Sequence, residues 1–298
     1  MEKKLRGRVS EEGLLYDFLS GNLGLTKREI SQAKFRTDGV CVNGRRARVT
    51  AMLQAGDVVE VKLEEAETQS GHLVPYAGKP DILYEDEDIL LVNKPAGVVV
   101  HPSHGHYSDS LANMLVQYFM EKGEQVKIRS VGRLDKETSG IVVFAKNQAA
   151  AGRLARQREL GQFKKEYFAL VHGVPEQRTG SIRTGIAGVP GSLMKMMVTE
   201  TGKHAVTHYA VQETFGGFSA VRVLLETGRT HQIRVHMASI GHALLGDKIY
   251  GAECGGIERA ALHAYRVKLM QPFSGEEIRI KAEMPEDMRK KMNQNVAK

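Results

Sequence analysis

Asp135 lies in the stretch Val131-Gly132-Arg133-Leu134-Asp135-Lys136-Glu137-Thr138-Ser139-Gly140, directly before Ile141 to Ala145, which are apolar enough for a central strand. A polar, glycine-flanked loop held by a buried strand presents reactive groups rigidly, and this one carries a carboxylate and a guanidinium two residues apart. The same residue types also build a structural turn closed by an ion pair, since Asp and Ser favour turns. A second stretch, Thr227-Gly228-Arg229-Thr230-His231-Gln232-Ile233-Arg234-Val235-His236, bears on that choice. Here Thr230 can cap a helix that buries Ile233, Met237 and Ile240 and ends at Gly241. Arg234, beside an apolar position near the helix start, needs an anionic partner, and Asp135 is the natural candidate.

Histidines His101, His104 and His106, with His231 and His236, raise the question of a metal site. No cysteine or acidic ligand stands among them at regular spacing, so no metal is expected.

The elements that must position these residues are legible in outline. Ile89-Leu90-Leu91-Val92 reads as a short buried strand, and Leu111, Met114, Leu115, Tyr118 and Phe119 mark an amphipathic helix. Residues 148–159 read as helical, Tyr167, Ala169 and Val171 alternate as a strand face, and further strands are expected at 205–212, 218–226, 262–269 and 276–281. Strand-rich stretches interrupted by a few helices predict an α+β domain with a mixed, mainly antiparallel sheet over residues 81–290. Residues 176–204 give no clear pattern.

Ahead of this domain stands a smaller α/β unit, expected over residues 13–66. Leu14, Leu15, Phe18 and Leu19 form one apolar helical face. Thr26 and Glu29 have capping-box spacing for a second helix that buries Ile30 and Ala33 and ends before Gly39. Val40-Cys41-Val42 then meets the hairpin signal Asn43-Gly44, and Val59, Val61 and Leu63 alternate as a last strand after Gly56-Asp57. Residues 65–80 lose periodicity, which places a linker over 67–80 between two independently patterned cores.

Composition narrows the class. The 298 residues carry 42 Lys+Arg against 35 Asp+Glu, a net charge of +7, with 42% hydrophobic and 26% charged residues. That is a globular mixture, not a disordered or collagen-like one. No apolar run approaches the ~20 residues that cross a bilayer. The start, MEKKLRGRVSEEG, has no apolar stretch behind its basic residues, and the only cysteines, Cys41 and Cys254, stand far apart. A soluble, cytoplasmic monomer without metal or cofactor is expected. Residues 21–50 hold Lys27, Arg28, Lys34, Arg36, Arg45, Arg46 and Arg48 against Glu29 and Asp38, and residues 121–170 are similarly basic. Two basic patches point to a polyanionic partner, whose neutralised phosphates release counterions.

Two resemblances sharpen this. Asp38-Gly39-Val40-Cys41-Val42-Asn43-Gly44, followed by Gly56-Asp57, resembles the S4-like RNA-binding domain and implies that the seven cations above contact RNA. Gly132 to Gly140, Lys165-Glu166-Tyr167-Phe168-Ala169-Leu170-Val171-His172-Gly173, the whole of 227–236, Leu245-Gly246-Asp247, Leu262-His263-Ala264 and Asn93 to Pro102 resemble, in order, the motifs of RluA-type RNA pseudouridine synthases. Gly132 departs from that family, which usually has His there. The resemblance implies an isomerase that converts uridine to pseudouridine, most of all in large-subunit ribosomal RNA, with transfer RNA or a non-catalytic ribosome assembly role as alternatives.

It implies roles as well. Asp135 is the catalytic aspartate, which either attacks the sugar or removes a sugar proton, and Arg234 holds it ionised. Tyr167 stacks on the base and is a candidate to take its C5 proton. Leu262 closes the apolar wall, Thr138 and Ile233 line the substrate pocket, and Arg133 fills the stack vacated by the flipped uridine. Glu137, two residues beyond Asp135, is expected to be structural.

Overall fold

The computed structural model describes residues 3–63, 73–103, 105–192, 194–251 and 256–294. His104, Cys254 and part of the expected linker lie outside them.

The smaller unit contains β1 (Lys4–Arg8), β2 (Gly13–Leu14), α1 (Leu15–Asp17) continuing into a π-helical turn at Phe18–Asn22, α2 (Lys27–Ala33), β3 (Val40–Val42), β4 (Arg45–Arg46), β5 (Met52–Leu53) and β6 (Val58–Lys62). Leu15, Leu19, Ile30 and Ala33 are buried against Val40, Val59 and Val61. The α2 start carries the full capping box: the Glu29 amide donates to Thr26 Oγ1, and the Thr26 amide donates to Glu29 Oε2. Asn43 and Gly44 both have positive φ, as a two-residue hairpin requires, and Asn43 Nδ2 donates to Asp57. The sheet order is β1-β6-β3-β4, so the unit includes Lys4–Arg8, ahead of the expected boundary at residue 13.

The larger unit runs β7 (Asp81–Glu85), β8 (Ile89–Lys94), α3 (Leu111–Glu121), β9 (Arg129–Ser130), β10 (Ser139–Ala145), α4 (Gln148–Glu159), β11 (Lys164–His172), β12 (Thr179–Gly188), β13 (Met196–Val198), β14 (Lys203–Phe215), β15 (Phe218–Leu225), α5 (Gln232–Ser239), β16 (Leu262–Met270), β17 (Glu277–Lys281) and α6 (Glu286–Asn293). One sheet orders them β13-β12-β14-β15-β11-β16-β10-β8-β7, with β17 on β16 and β9 on β10. Its pairings are antiparallel except β10 with β16, which run parallel through Ser139–His263 and Gly140–Ala264. The fold is therefore α+β with a mixed, mainly antiparallel sheet.

Strand β10 is buried along its whole length because both of its faces are covered. Val142 and Phe144 join Leu90, Val92 and the buried side of α3, whereas Ile141 and Val143 join Leu91 and Leu154 of α4. The two units also touch. Buried Lys3 lies 2.8 Å from Asp88, Arg153 of α4 lies 3.5 Å from Glu29, and Ala149 and Phe273 pack on the smaller core. The linker's far end is docked too: Leu73 is buried and Asn113 Nδ2 donates to the Val74 carbonyl. The cores are separate, but the units are in contact.

Candidate active site

Three neighbouring strands build the site. β16 pairs with β11 through Ala169–Leu262 and Tyr167–Ala264, and a bulge just before Tyr167 re-aims that strand. On its other side β16 meets β10 at the end of the Asp135 loop. Gly140 permits that junction: at φ +106° it brings its backbone so close that a Cβ would lie 2.3 Å from the Ala264 carbonyl oxygen.

The Asp135 loop is held by its carbonyls. Lys94, fully buried, donates to the carbonyls of Pro95 at 2.8 Å, Val98 at 2.7 Å and Lys136 at 3.1 Å. Burial pushes Lys94 down to about 7, with Arg259 adding to the effect and Asp135 opposing it. Three carbonyl acceptors match the three N–H bonds of an ammonium, and a neutral amine has only two, so the local geometry favours the charged form. Arg259 donates to the carbonyls of Glu137 and Leu262 while Asp287 grips its other edge, and the Ala260 amide donates to Glu137 Oε2. The Glu137 carboxylate is thus engaged in this framework. Sequence reasoning assigned no role to Lys94, Arg259 or Asp247; the only signal was that Lys94 and Asp247 stand in the motifs Asn93 to Pro102 and Leu245-Gly246-Asp247.

The Asp135 carboxylate has no hydrogen-bond or ion-pair partner among the described residues, and it lines an open cleft of about 1040 Å³. Tyr167, Ile233, Arg234, Leu262 and Thr138 line the same cleft, so the expected site residues do come together. Tyr167, Ile233, Leu262 and Leu134 belong to one apolar core, which supplies the dry wall. Burial and then the negative charge of Asp135 raise the Tyr167 phenol well above its ordinary range, and Arg158 partly opposes them. Thr138 donates its amide to the Asp135 carbonyl at 3.1 Å, while its Oγ1 is buried without a partner among the described residues. Arg133 is exposed on the cleft rim.

Two expectations are corrected. Arg234 pairs with Asp247, not with Asp135: Nε and Nη2 each donate at 2.7 Å to its two carboxylate oxygens, and Nη2 lies 3.8 Å from Glu137. Burial works against both charges, and their mutual attraction outweighs it, raising Arg234 and lowering Asp247. The charge of Asp135 still reaches Arg234, whose Nη1 is left without a hydrogen-bond partner among the described residues. The second correction concerns α5, which starts after His231 in left-handed conformation with φ 54°, without a Thr230 cap. Gln232 secures this start by accepting from the Arg229 amide and Thr227 and donating to Val206 and Thr207. Ile240 is partly exposed, and Gly241 does end the helix.

Gly132 has a physical reason. Its φ is +85°, and a Cβ there would approach Arg158 Nη1 at 3.4 Å. His101 bonds Ser130 and His106 bonds Asp109.

The seven cations of the smaller unit are exposed, apart from half-buried Arg36, and none forms an ion pair with a described residue. Arg46 Nη2 donates to the Lys34 carbonyl at 3.2 Å, which ties the hairpin to the end of α2.

A sheet junction that brings the unpaired Asp135 carboxylate and the buried Tyr167 phenol into one cleft with Arg133, Arg158 and Arg229 suits an enzyme acting on a polyanion, although Glu159 and Glu226 line the cleft as well. Residues 88–239 match the model of the RNA pseudouridylate synthase family. The uncharacterized RNA pseudouridine synthase YjbO of Bacillus subtilis is 38% identical over 91% of this chain and 95% of its own length. The ribosomal large subunit pseudouridine synthase D of Xanthomonas campestris is 37% identical over 85% of this chain and 80% of its own. Human RNA pseudouridylate synthase domain containing 1 superposes with a TM-score of 0.58 at 28% identity, covering 70% of this chain and 86% of that one. The chain belongs to the RNA pseudouridine synthase family. It is an RNA-modifying isomerase; among the described residues no helix is long and apolar enough to cross a membrane.

Proposed function

We propose that this chain isomerises uridine in large-subunit ribosomal RNA, with Asp135 as the reacting carboxylate. The observation that carries the site is the Asp135 carboxylate, unpartnered in the cleft and facing Tyr167 across an apolar wall. Several relatives at 35–38% identity are named for the large ribosomal subunit, which supports that RNA over transfer RNA.

The reaction breaks the N-glycosidic bond, turns the base and joins its C5 to C1′, so it consumes no oxidant, nucleotide or water. An ionised carboxylate serves both routes, attack at C1′ and removal of a sugar proton. Tyr167 stacks on the uracil. Because its phenol is protonated at neutral pH, it takes the C5 proton only as it passes its own proton on, and the proton balance closes when N1, released from C1′, gains one. Arg234, locked by Asp247, stabilises the carboxylate through its charge, without a direct salt bridge. Leu262, Ile233 and Thr138 shape the pocket, and Arg133 replaces the flipped base in its stack, where a guanidinium can both stack and hydrogen-bond.

The smaller unit acts as an S4-like RNA-binding domain, with Lys27, Arg28, Lys34, Arg36, Arg45, Arg46 and Arg48 on phosphates. Its hairpin, capping box and free cations support this reading. The test is pseudouridine mapping of ribosomal and transfer RNA from a strain lacking the gene. Loss of a large-subunit pseudouridine, restored by the wild-type gene but not by Asp135→Asn, is expected; loss confined to transfer RNA overturns the proposed substrate.

A further inference from the structure

The cleft holds an arginine, Arg158, that neither the fold nor the reaction above uses. Arg158 sits in the last turn of α4, where Gln157 clamps the helix end to β16: its Nε2 donates to the Met270 carbonyl at 2.7 Å, and its Oε1 accepts from the Met270 amide at 3.0 Å. The side chain beside this anchor is exposed and has no hydrogen bond or ion pair among the described residues. Its guanidinium nevertheless leans on the protein. It lies 3.4 Å from a Cβ built on Gly132 and 3.3 Å from one built on Gly228, so it spans the two glycine turns that introduce Arg133–Asp135 and Arg229–Arg234. A Cβ at 132 or 228 would meet only the movable end of this side chain, close to van der Waals contact.

A second cation stands close. Lys165 Nζ donates to the Ile141 carbonyl at 2.9 Å and lines the same cleft. Burial, then the charge of Arg158, lowers Lys165 to about 7, so each cation is felt by the other. With no carboxylate paired to either group, burial and the charge of Arg158 disfavour the protonated form of Lys165, and an anion bound beside them restores it. The cleft takes a nucleotide, and a base placed between Asp135 and Tyr167 leaves its sugar-phosphate at the rim, where Arg158 lies. A guanidinium matches two phosphate oxygens at once.

We propose that Arg158 and Lys165 form a phosphate subsite for the phosphodiester adjoining the flipped uridine. The subsite rests on the reading of the cleft as the uridine site. It fixes the sugar relative to Asp135, and it offsets the repulsion between the phosphate and that carboxylate.

The test removes one phosphate charge at a time. Large-subunit RNA fragments carrying the modified uridine are made with a methylphosphonate at the 5′ or the 3′ neighbouring linkage, or five nucleotides away as a control. Filter binding and single-turnover pseudouridine formation are measured with wild type, Arg158→Ala and Arg158→Lys. Arg158→Ala should bind normal RNA roughly 10-fold more weakly, with a salt slope shallower by about one, and Arg158→Lys should recover part of the loss. One neighbouring methylphosphonate should weaken wild type by a similar factor and Arg158→Ala hardly at all, while the distant one affects both alike. If Arg158→Ala suffers the full penalty at both neighbouring linkages, the subsite is wrong. Asp135→Asn tests the cleft reading separately, since it should abolish product and leave the methylphosphonate pattern in binding intact.

Discussion

Asp247 accepts both donors of one edge of Arg234 at 2.7 Å, and the amides of Ile249 and Tyr250 as well, and it is almost fully buried. Asp135, whose charge reaches the same guanidinium, accepts nothing among the described residues and faces the cleft. Asp247 spends its charge on four donors within the fold, which makes it a support. Asp135 is held only through its backbone, by the Thr138 amide on its own carbonyl and by the grips of Lys94 and Arg259 on the carbonyls after it. The loop is rigid while the carboxylate stays unspent. One site thus separates holding from reacting, and the two aspartates should respond oppositely to substitution.

The largest effect is expected at Asp135. Asp135→Asn removes the charge that either chemical route needs, and turnover should fall by at least about 10³-fold. Its melting temperature should stay near wild type, because no partner is left uncompensated. Single-turnover assays beside circular dichroism check both halves. Appreciable product, with deamidation excluded by mass spectrometry, would sink the role given to Asp135.

Asp247→Ala should do the reverse in kind. It strands a buried guanidinium, and breaking such a pair by removing one partner costs about 3–5 kcal/mol. Denaturant unfolding should show that loss, while binding of RNA by the protein that remains folded persists. A stability change below about 1 kcal/mol would mean that Arg234 finds another anion, and Asp135 would be the first to examine.

Why Asp135 was legible in the sequence and its supports were not follows from how each is encoded. The reacting loop is a contiguous string ending in a strand whose apolar run marks burial on both faces. α3 was equally plain, since Leu111, Leu115 and Phe119 recur on one side. The partner of Arg234 carries no such local signal: Asp247 lies thirteen residues on, and only tertiary packing decides that it, not Asp135, takes the guanidinium. Residues 176–204 hid a strand pair because Gly180 and Gly185, inside β12, serve close approach, not turns. Tyr209 covers Gly180, and the Thr199 carbonyl would lie 2.4 Å from a Cβ at Gly185, so the sequence of β12 reads as loop while its backbone pairs as sheet. The left-handed His231 that starts α5 is likewise imposed by packing, through its bond to Tyr250.

Acid should separate the supports from the reacting group in a third way. His263 bonds Ser139 at the β10–β16 junction, and burial, followed by the charge of Arg259, lowers it to about 4 from an unfolded value of 6.5. Between those values the unfolded chain takes a proton that the folded chain refuses. Its contribution is therefore complete above pH 6.5 and drains away as pH falls through about 4, to a total of about 3 kcal/mol. Asp247, also depressed, adds stability above its unfolded value of 3.8 that is lost only at lower pH. Melting curves from pH 7 to 3 should show this decline in wild type and in Asp135→Asn alike. His263→Gln should flatten the upper part, and a profile unchanged by that substitution would contradict the assignment.

The smallest effect on stability is expected at Arg133, the counterpart of Arg234 as Asp135 is of Asp247. Arg234 is 3% exposed and fully engaged on one edge, while Arg133 stands on the rim. Truncating an exposed arginine changes stability by no more than about 0.5 kcal/mol, so Arg133→Ala should melt with wild type. Its effect belongs to the RNA. If the guanidinium occupies the gap that the flipped uridine leaves, its loss shifts the substrate toward the stacked, unreactive form by part of the few kcal/mol that unstacking costs. A structured stem-loop meets that cost in full, and an unstructured oligonucleotide barely meets it. Single-turnover rates should therefore drop more for the stem-loop than for the oligonucleotide containing the same uridine. Equal drops would leave Arg133 as a simple phosphate contact, and the flipped-out state would then depend on the cleft side alone, on Tyr167, Leu262 and the cations that receive the backbone.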